Sequence, residues 1–212
     1  MDFERPVEAV IPGAIGRLLA ALARVDTELP ISTLASVAGV GRTRASGLVS
    51  QLHQLGLVDR RDIGRITMVS LARDSAAGDL IDRLAHLRTV VIDQLRDLAA
   101  KIKPAPLVLA VYGSFARGEA GAECDIDVLA VRAPDGDSEQ WAASLTTFAT
   151  RARRLTGNPV QILDYDLREL RRKAGSRATL GKDFWDALRR DCIVLAGASV
   201  DSILAGDHVA SR

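Results

Sequence analysis

The first third of the chain alternates between helical and strand-like patterns of hydrophobic residues. Apolar side chains recur at steps of three and four in three stretches, which predicts three helices. The predicted helices cover residues 12–24, 32–38 and 43–55. Gly39-Val40-Gly41 lies between the second and third stretch and predicts a tight turn. Residues 57–61 and 65–69 then alternate around a short polar segment, which predicts a β-hairpin.

A long amphipathic segment follows. From Asp79 to Lys103 the apolar residues form one narrow stripe at helical spacing, and Pro104 ends the pattern. We therefore expect a long linking helix within residues 74–103. Its apolar stripe fits packing within the chain, or against the same helix of a second chain in a homodimer, and the pattern does not decide between them.

Beyond residue 104 the pattern changes to short apolar runs separated by helical segments. Strands are predicted at 107–111, from Asp125 to Val131, at 160–163 and at 192–195, with a helix at 139–155 and two more after 166. This order predicts a small mixed sheet covered by helices. Residues 199–212 carry no clear pattern and are expected to form a tail.

Composition and charge narrow the function classes. Apolar residues make up 48% of the chain and the net charge is +1, so neither a polybasic coat nor an acidic tail is present. The two cysteines are far apart and give no disulfide framework or metal-ligand spacing. No signal peptide and no run long enough to cross a bilayer is found, so we expect a cytoplasmic protein without a membrane partner.

The candidate chemistry lies between the first two strands of the C-terminal half. Asp125 and Asp127 are two residues apart, so in a strand both carboxylates project to the same face. Gly113 and Ser114 end the preceding strand and allow backbone N–H groups to approach a phosphate closely. Carboxylate and phosphate oxygens are the ligands that Mg²⁺ prefers. The pattern favours a site for a divalent metal with a phosphate chain.

The stretch GSFARGEAGAECDID resembles the signature of the nucleotidyltransferase superfamily related to DNA polymerase beta, in its minimal form. The resemblance implies a nucleotidyltransferase fold and a metal-bound nucleoside triphosphate (NTP) as substrate or ligand. Gly113 and Ser114 would hold the triphosphate, Asp125 and Asp127 would hold Mg²⁺ or Mn²⁺, and Arg117 would bind the leaving phosphates and neutralise their charge. Asp125, Asp127 and Arg117 are accordingly the candidate catalytic residues.

One position departs from that family pattern. Members usually carry a third carboxylate on the third strand, where this chain has Gln161. An amide can orient a nucleotide or a water molecule, but it supplies no charge for a second metal and cannot activate a hydroxyl group. Asp164 is nearby, yet it falls on the opposite face unless the strand bulges or ends before Leu163.

The N-terminal order of helices and hairpin resembles the winged helix-turn-helix of bacterial transcription regulators. In such domains the helix after the glycine turn enters the major groove of double-stranded DNA, and the hairpin forms the wing. The resemblance therefore implies a set of DNA-binding residues: Arg42, Thr43, Arg44 and Ser46 on the helix, with Arg61 and Arg65 on the wing. A protein–protein or dimerisation module is the alternative.

The sequence thus predicts a mixed α+β (α/β) protein with four segments. They are a winged helix domain at 1–73, a linking helix at 74–103, a nucleotidyltransferase-like domain at 104–198 and a tail at 199–212. The function expected is nucleotidyl transfer to an unidentified acceptor by a DNA-binding protein. The alternatives are a nucleotide-sensing transcription regulator without catalysis, or a toxin–antitoxin component with a partner protein.

Overall fold

The computed structural model describes residues 1–174 and 179–205. The chain divides into two compact units, which we call the N-terminal unit (residue 2 and residues 4–90) and the C-terminal unit (residues 1 and 3 and residues from 91 onward). The domain boundaries expected from the sequence stay predictions.

The N-terminal unit combines helices with a three-stranded antiparallel sheet of order β1-β3-β2. Its elements are α1 (Pro6–Val10), α2 (Ala14–Ala23), β1 (Leu29–Pro30), α3 (Ile31–Val37), α4 (Arg42–Gln54), β2 (Val58–Ile63), β3 (Ile66–Leu71) and α5 (Ala76–Ala85). The three helices and the hairpin expected from the pattern are present. Helix α1 and the short strand β1, which pairs with Val69 and Met68, were not expected. The arrangement is that of a winged helix-turn-helix.

A small apolar core holds these elements together. Leu18 and Leu22 of α2, Leu34 of α3, Val49 of α4 and Val69 of β3 are all almost fully buried in one cluster. Helical spacing puts the apolar residues of each helix on one face, so burial of that face selects the helix orientation. The opposite face of α4 stays exposed.

The linking segment is two helices rather than one. Helix α5 ends at Ala85 and α6 (Leu87–Ala99) begins after a turn at His86, whose backbone has φ −98° and ψ 20°. The His86 ring Nδ1 lies 2.8 Å from the Asp82 carbonyl oxygen, which also accepts the His86 backbone N–H. This local side-chain contact accompanies the break. The prediction of one continuous helix is therefore wrong, and the second helix ends at Ala99.

The C-terminal unit contains a four-stranded mixed sheet of order β6-β5-β4-β7. After α6 come β4 (Val108–Tyr112), α7 (Gly113–Arg117), β5 (Ile126–Arg132), α8 (Ser138–Thr156), β6 (Val160–Asp166), α9 (Leu167–Ala174), α10 (Thr179–Asp191), β7 (Ile193–Gly197) and α11 (Val200–Ala205). Strands β5 and β6 are parallel and joined by α8, while β4 is antiparallel to β5 and β7. This small mixed sheet confirms the expected fold class.

Two details of this unit differ from expectation. Strand β6 continues to Asp166, three residues beyond the predicted end. The expected tail begins with helix α11, because Val200 and Ile203 are apolar residues at helical spacing and both are buried in the core beside β4 and β5. Residues 206–212 of the expected tail lie outside the described residues.

Candidate functional site

The acidic pair lies at the start of β5, beside the end of β4. Asp127 and Tyr112 are register partners across the two antiparallel strands, and Gly113 follows Tyr112 directly as the first residue of α7. Asp125 lies one residue before the strand. Because β4 and β5 are buried apolar strands, their ends fix the positions of these polar residues.

Gly113 and Asp127 fit together closely. A Cβ atom on Gly113 would lie 2.4 Å from Oδ2 of Asp127, and the backbone of Gly113 has φ +72°. Only glycine adopts this conformation readily and leaves that space open. The absence of a side chain at Gly113 therefore leaves space for the Asp127 carboxylate, and we call this arrangement the glycine cradle. It gives a physical reason for glycine at this position. Ser114 is half-buried in α7, and its carbonyl oxygen accepts a hydrogen bond from the Glu119 N–H (2.8 Å).

The electrostatics of the site show that the charged groups are close together. Burial raises the pKa of Asp127, and the charge of Asp125 raises it further, while the Arg117 guanidinium lowers it. A carboxylate whose pKa is raised by burial and by a neighbouring carboxylate lies at a site that favours a cation. Burial, Asp127 and Tyr165 together raise the pKa of Tyr112 to about 12, so this hydroxyl stays protonated.

Arg117 is held by acidic side chains at the rim. Its Nε donates to Oε2 of Glu119 at 2.8 Å, and its Nη1 lies 4.0 Å from Oδ2 of Asp191. Asp191 is also bound by Arg190 through two hydrogen bonds of 2.7 and 2.8 Å. The guanidinium also lowers the pKa of Asp127, and its exposed ion pair with Glu119 can exchange for a bound anion.

Gln161 lies at the position on the third strand where the family resemblance implies a third carboxylate. It is the register partner of Asp127 in the parallel pair β5–β6, so both side chains are on the same face of the sheet, and Gln161 is exposed. The register continues without a bulge to Asp166. Asp164 accepts a hydrogen bond from Nε1 of Trp141 at 2.9 Å and pairs with Ala130. It therefore does not replace the missing carboxylate.

Asp125 and Asp127 are the candidate metal ligands of this site. Within residues 1–174 and 179–205, no group of three or more His, Cys, Asp or Glu residues could hold a metal ion. The oxygen donors of Asp125 and Asp127 and the glycine cradle nevertheless match the chemistry of a divalent cation bound with phosphate.

The candidate DNA-binding residues lie on an exposed face of the N-terminal unit. Helix α4 buries Ala45, Val49 and Leu52, so its first turns expose the predicted residues. Arg42, Thr43, Arg44 and Ser46 are all exposed. Arg65 is exposed in the two-residue loop of the hairpin, between Ile63 and Ile66.

Two wing arginines are already paired with acidic residues. Arg61 donates to both carboxylate oxygens of Glu28, and this hydrogen bonding lowers the pKa of Glu28. Arg60, which the sequence analysis did not select, lies within 3.3 Å of Asp62 and 3.4 Å of the Ser50 hydroxyl. The wing therefore carries less free positive charge than its sequence indicates.

A family match agrees with the geometry of the acidic pair. The model of the nucleotidyltransferase domain family matches residues 92–171, a range that includes α7, β5 and β6. This part of the chain is a nucleotidyltransferase domain. No curated protein has a sequence that matches this chain.

Solved structures resemble parts of the chain. One is the homodimeric winged helix-turn-helix DNA-binding domain of a possible ArsR-family regulator from Mycobacterium bovis (29% identity, TM-score 0.31, 42% of this chain and 77% of that one). Another is a MarR family regulator from Silicibacter pomeroyi (27%, 0.32, 46% and 73%). A third is a toxin–antitoxin structure with AMP-PNP (17%, 0.36, 54% and 82%). TM-scores this low do not establish a shared fold.

Sequence reasoning missed several residues of the site. Tyr112 meets Asp127 across the sheet and Asp191 approaches Arg117 from a distant helix, which no local pattern reveals. Glu119 binds Arg117 from two positions further along the chain. Asn158 lies between the predicted helix at 139–155 and the predicted strand at 160–163, and it belongs to no motif that the sequence pattern indicates. Of the helices that the structure describes, none has the length and apolar character needed to cross a bilayer.

Proposed function

We propose that the nucleotidyltransferase domain binds an NTP together with Mg²⁺ or Mn²⁺, and that the winged helix unit binds double-stranded DNA. The observation that carries the first part is the cradle in which Gly113 receives the Asp127 carboxylate beside Asp125. The two neighbouring carboxylates favour a cation, and the absence of a side chain at Gly113 allows phosphate oxygens to approach its backbone.

Each residue has a defined role in this proposal. Asp125 and Asp127 hold the divalent cation, which when bound neutralises phosphate charge and orients the triphosphate. Gly113 and Ser114 present backbone N–H groups and a hydroxyl to the phosphates. Arg117 leaves Glu119 and binds the β- and γ-phosphate oxygens, where negative charge develops as pyrophosphate departs. Gln161 donates or accepts one hydrogen bond at the nucleotide.

Transfer to an acceptor is the enzymatic form of the proposal. The acceptor oxygen forms a bond to the α-phosphorus while the bond from that phosphorus to the bridging oxygen of the β-phosphate breaks, and pyrophosphate leaves. The acceptor proton passes to water, because Gln161 cannot accept it as a carboxylate would.

The second candidate is a nucleotide-sensing regulator, and Gln161 specifically favours it. A site with two carboxylates and an amide retains the groups that bind a metal-nucleotide but lacks one that activates an acceptor. In this form, nucleotide binding alters the affinity of the winged helix unit for DNA without turnover. A toxin–antitoxin pair with a partner protein, and a homodimer on paired half-sites, stay predictions from the sequence resemblance.

The experiment that separates these functions uses the full chain and each of the four NTPs labelled at the α-phosphate, with Mg²⁺ or Mn²⁺. Label that becomes covalently attached to protein or nucleic acid, and is lost in Asp125→Ala and Asp127→Ala, supports the enzyme. Saturable binding without transfer, accompanied by a change in affinity for duplex DNA, supports the regulator. If no NTP binds in a metal-dependent way, both forms of the proposal are wrong.

A further inference from the structure

The loop that leads into Asp125 is held by a buried polar side chain from outside the motif. Asn158 has 0% of its surface exposed, although it is polar. Its Nδ2 donates to the Cys124 carbonyl oxygen at 2.8 Å and lies 3.4 and 3.5 Å from the carbonyl oxygens of Ala122 and Gly121. One amide group therefore reaches three carbonyls in the four residues before Asp125.

The other atoms of this asparagine are also engaged. Its Oδ1 accepts a hydrogen bond from the Met1 amino group at 2.8 Å, and its backbone N–H donates to the Thr156 hydroxyl at 3.2 Å. The next residue continues the connection, because the Pro159 carbonyl accepts the Ile126 N–H at 2.8 Å. The turn between α8 and β6 thus fixes both sides of Asp125.

A second contact holds the same loop further upstream. The Phe3 N–H donates to the Ala120 carbonyl at 2.8 Å, and the Phe3 ring meets Phe115 of α7 edge to face at 4.9 Å. Loop 118–125 is therefore fixed by residues distant in sequence, since it has little regular structure of its own. A buried amide is costly unless its hydrogen bonds are made, so these contacts define one loop conformation.

From this geometry we infer that Asn158 is a positioning residue for the acidic pair. By holding the Gly121, Ala122 and Cys124 carbonyls, it sets the backbone from which Asp125 projects and keeps that carboxylate beside Asp127. The inference rests on the proposed metal–nucleotide site. Residues that orient a metal ligand in this indirect way typically change metal affinity by about 10–100-fold when removed.

The test measures Mn²⁺ binding to the full chain by the loss of the free Mn²⁺ signal in electron paramagnetic resonance. The Asn158→Ala variant is expected to raise the Kd for Mn²⁺ about 10-fold, with the wild-type stoichiometry at saturating Mn²⁺. Full occupancy at high metal separates a mispositioned ligand from an unfolded site. Asn158→Asp, which keeps the shape but loses the donor group, should give the same shift if Asn158→Ala does not fold.

Thr156→Val is the matched control. It removes a buried hydroxyl from the same turn, which bonds to the Ala152 carbonyl and the Asn158 backbone, but it leaves the contacts to the loop intact. We expect a lower melting temperature and an unchanged Kd for Mn²⁺. The inference is overturned if Thr156→Val shifts the Kd as much as Asn158→Ala, or if both Asn158 variants bind as the wild type does. Absence of Mn²⁺ binding in the wild type would instead refute the proposed metal site.

Discussion

Gly113 is the residue whose replacement has the clearest structural consequence. Alanine there meets Oδ2 of Asp127 at 2.4 Å and must adopt φ +72°. We expect Gly113→Ala to lose about 1–2 kcal/mol of folding free energy from the backbone conformation alone and to abolish metal-dependent nucleotide binding. Chemical denaturation and a nucleotide titration measure the two effects.

Gly121→Ala is the matched control for that change. Gly121 lies in the loop between α7 and β5, but a Cβ there meets nothing within 4 Å and its backbone does not need a positive φ. Its effect on nucleotide affinity should be small. If both alanine variants bind equally well, the cradle has no role in binding.

The raised pKa of Asp127 gives a pH-dependent prediction. Burial and Asp125 raise this pKa above the ordinary value of 3.8, so the ionised carboxylate disfavours the folded state at any pH above that value. Without metal, Asp127→Asn should therefore raise the melting temperature at pH 7, and the difference should vanish as the pH falls below 3.8. Thermal unfolding in a chelator across this range tests the sign. A variant that melts lower at pH 7 would contradict it.

Gln161 tests what the missing carboxylate does. Because Gln161 is the register partner of Asp127, Gln161→Glu places a third carboxylate on the same face of the sheet. We expect nucleotidyl transfer to rise on the order of 100-fold, as for a restored general base. Asp164→Asn, on the opposite face beneath Trp141, should leave the rate unchanged. A transfer rate that is unchanged or lower in Gln161→Glu would show that Gln161 does not limit nucleotidyl transfer.

At the scale of elements, α4 and the wing decide whether the N-terminal unit binds DNA. Arg42 and Arg44 are exposed at the start of α4, and each is expected to contact a phosphate or a guanine. Replacing either by alanine should weaken duplex binding and reduce the slope of log K against log salt by about 0.9 per lost phosphate contact. Arg153→Ala, an exposed change on α8, serves as the control. An unchanged slope in both helix variants would contradict the DNA interface.

The ion pair between Arg61 of β2 and Glu28 leads us to predict that one substitution strengthens DNA binding rather than weakening it. Glu28 holds the Arg61 guanidinium and would repel DNA phosphate. Glu28→Gln should therefore increase duplex affinity severalfold at low salt, and the gain should shrink as salt screens it. Fluorescence anisotropy with a duplex at two salt concentrations measures this. Weaker binding by Glu28→Gln would show that the pair orders the wing rather than neutralising it.

The elements differ in how far the sequence determines them. Helix α4 and the hairpin follow from local periodicity, because the buried residues of each lie on one face. The break at His86 does not, since histidine is an ordinary helix residue and the contact of its ring with the Asp82 carbonyl is specific to this structure. The spacing of Asp125 and Asp127 predicts the pair, but the approach of Asp127 to Gly113 depends on the register of β4 and β5.

At the scale of the whole molecule, the long-range contacts are the features that could not be predicted from the sequence. Phe3 is 5% exposed and belongs to the C-terminal unit, where it packs on Phe115, more than a hundred residues away. Asn158 likewise acts on the loop of residues 121–124. Such contacts produce no periodic pattern in the sequence, because a single residue meets its partner only after the chain has folded.

The nucleotidyltransferase assignment depends most directly on whether the acidic pair binds a cation with a nucleotide. The decisive measurement is isothermal titration of the full chain with each NTP, with and without Mg²⁺, for the wild type and for Asp127→Asn. We predict that, for at least one NTP, Mg²⁺ lowers the Kd of the wild type at least about 10-fold, because loss of one charged partner commonly costs at least that much affinity. In Asp127→Asn, Mg²⁺ should leave the Kd unchanged. Equal affinity in all four conditions for every NTP would contradict the account.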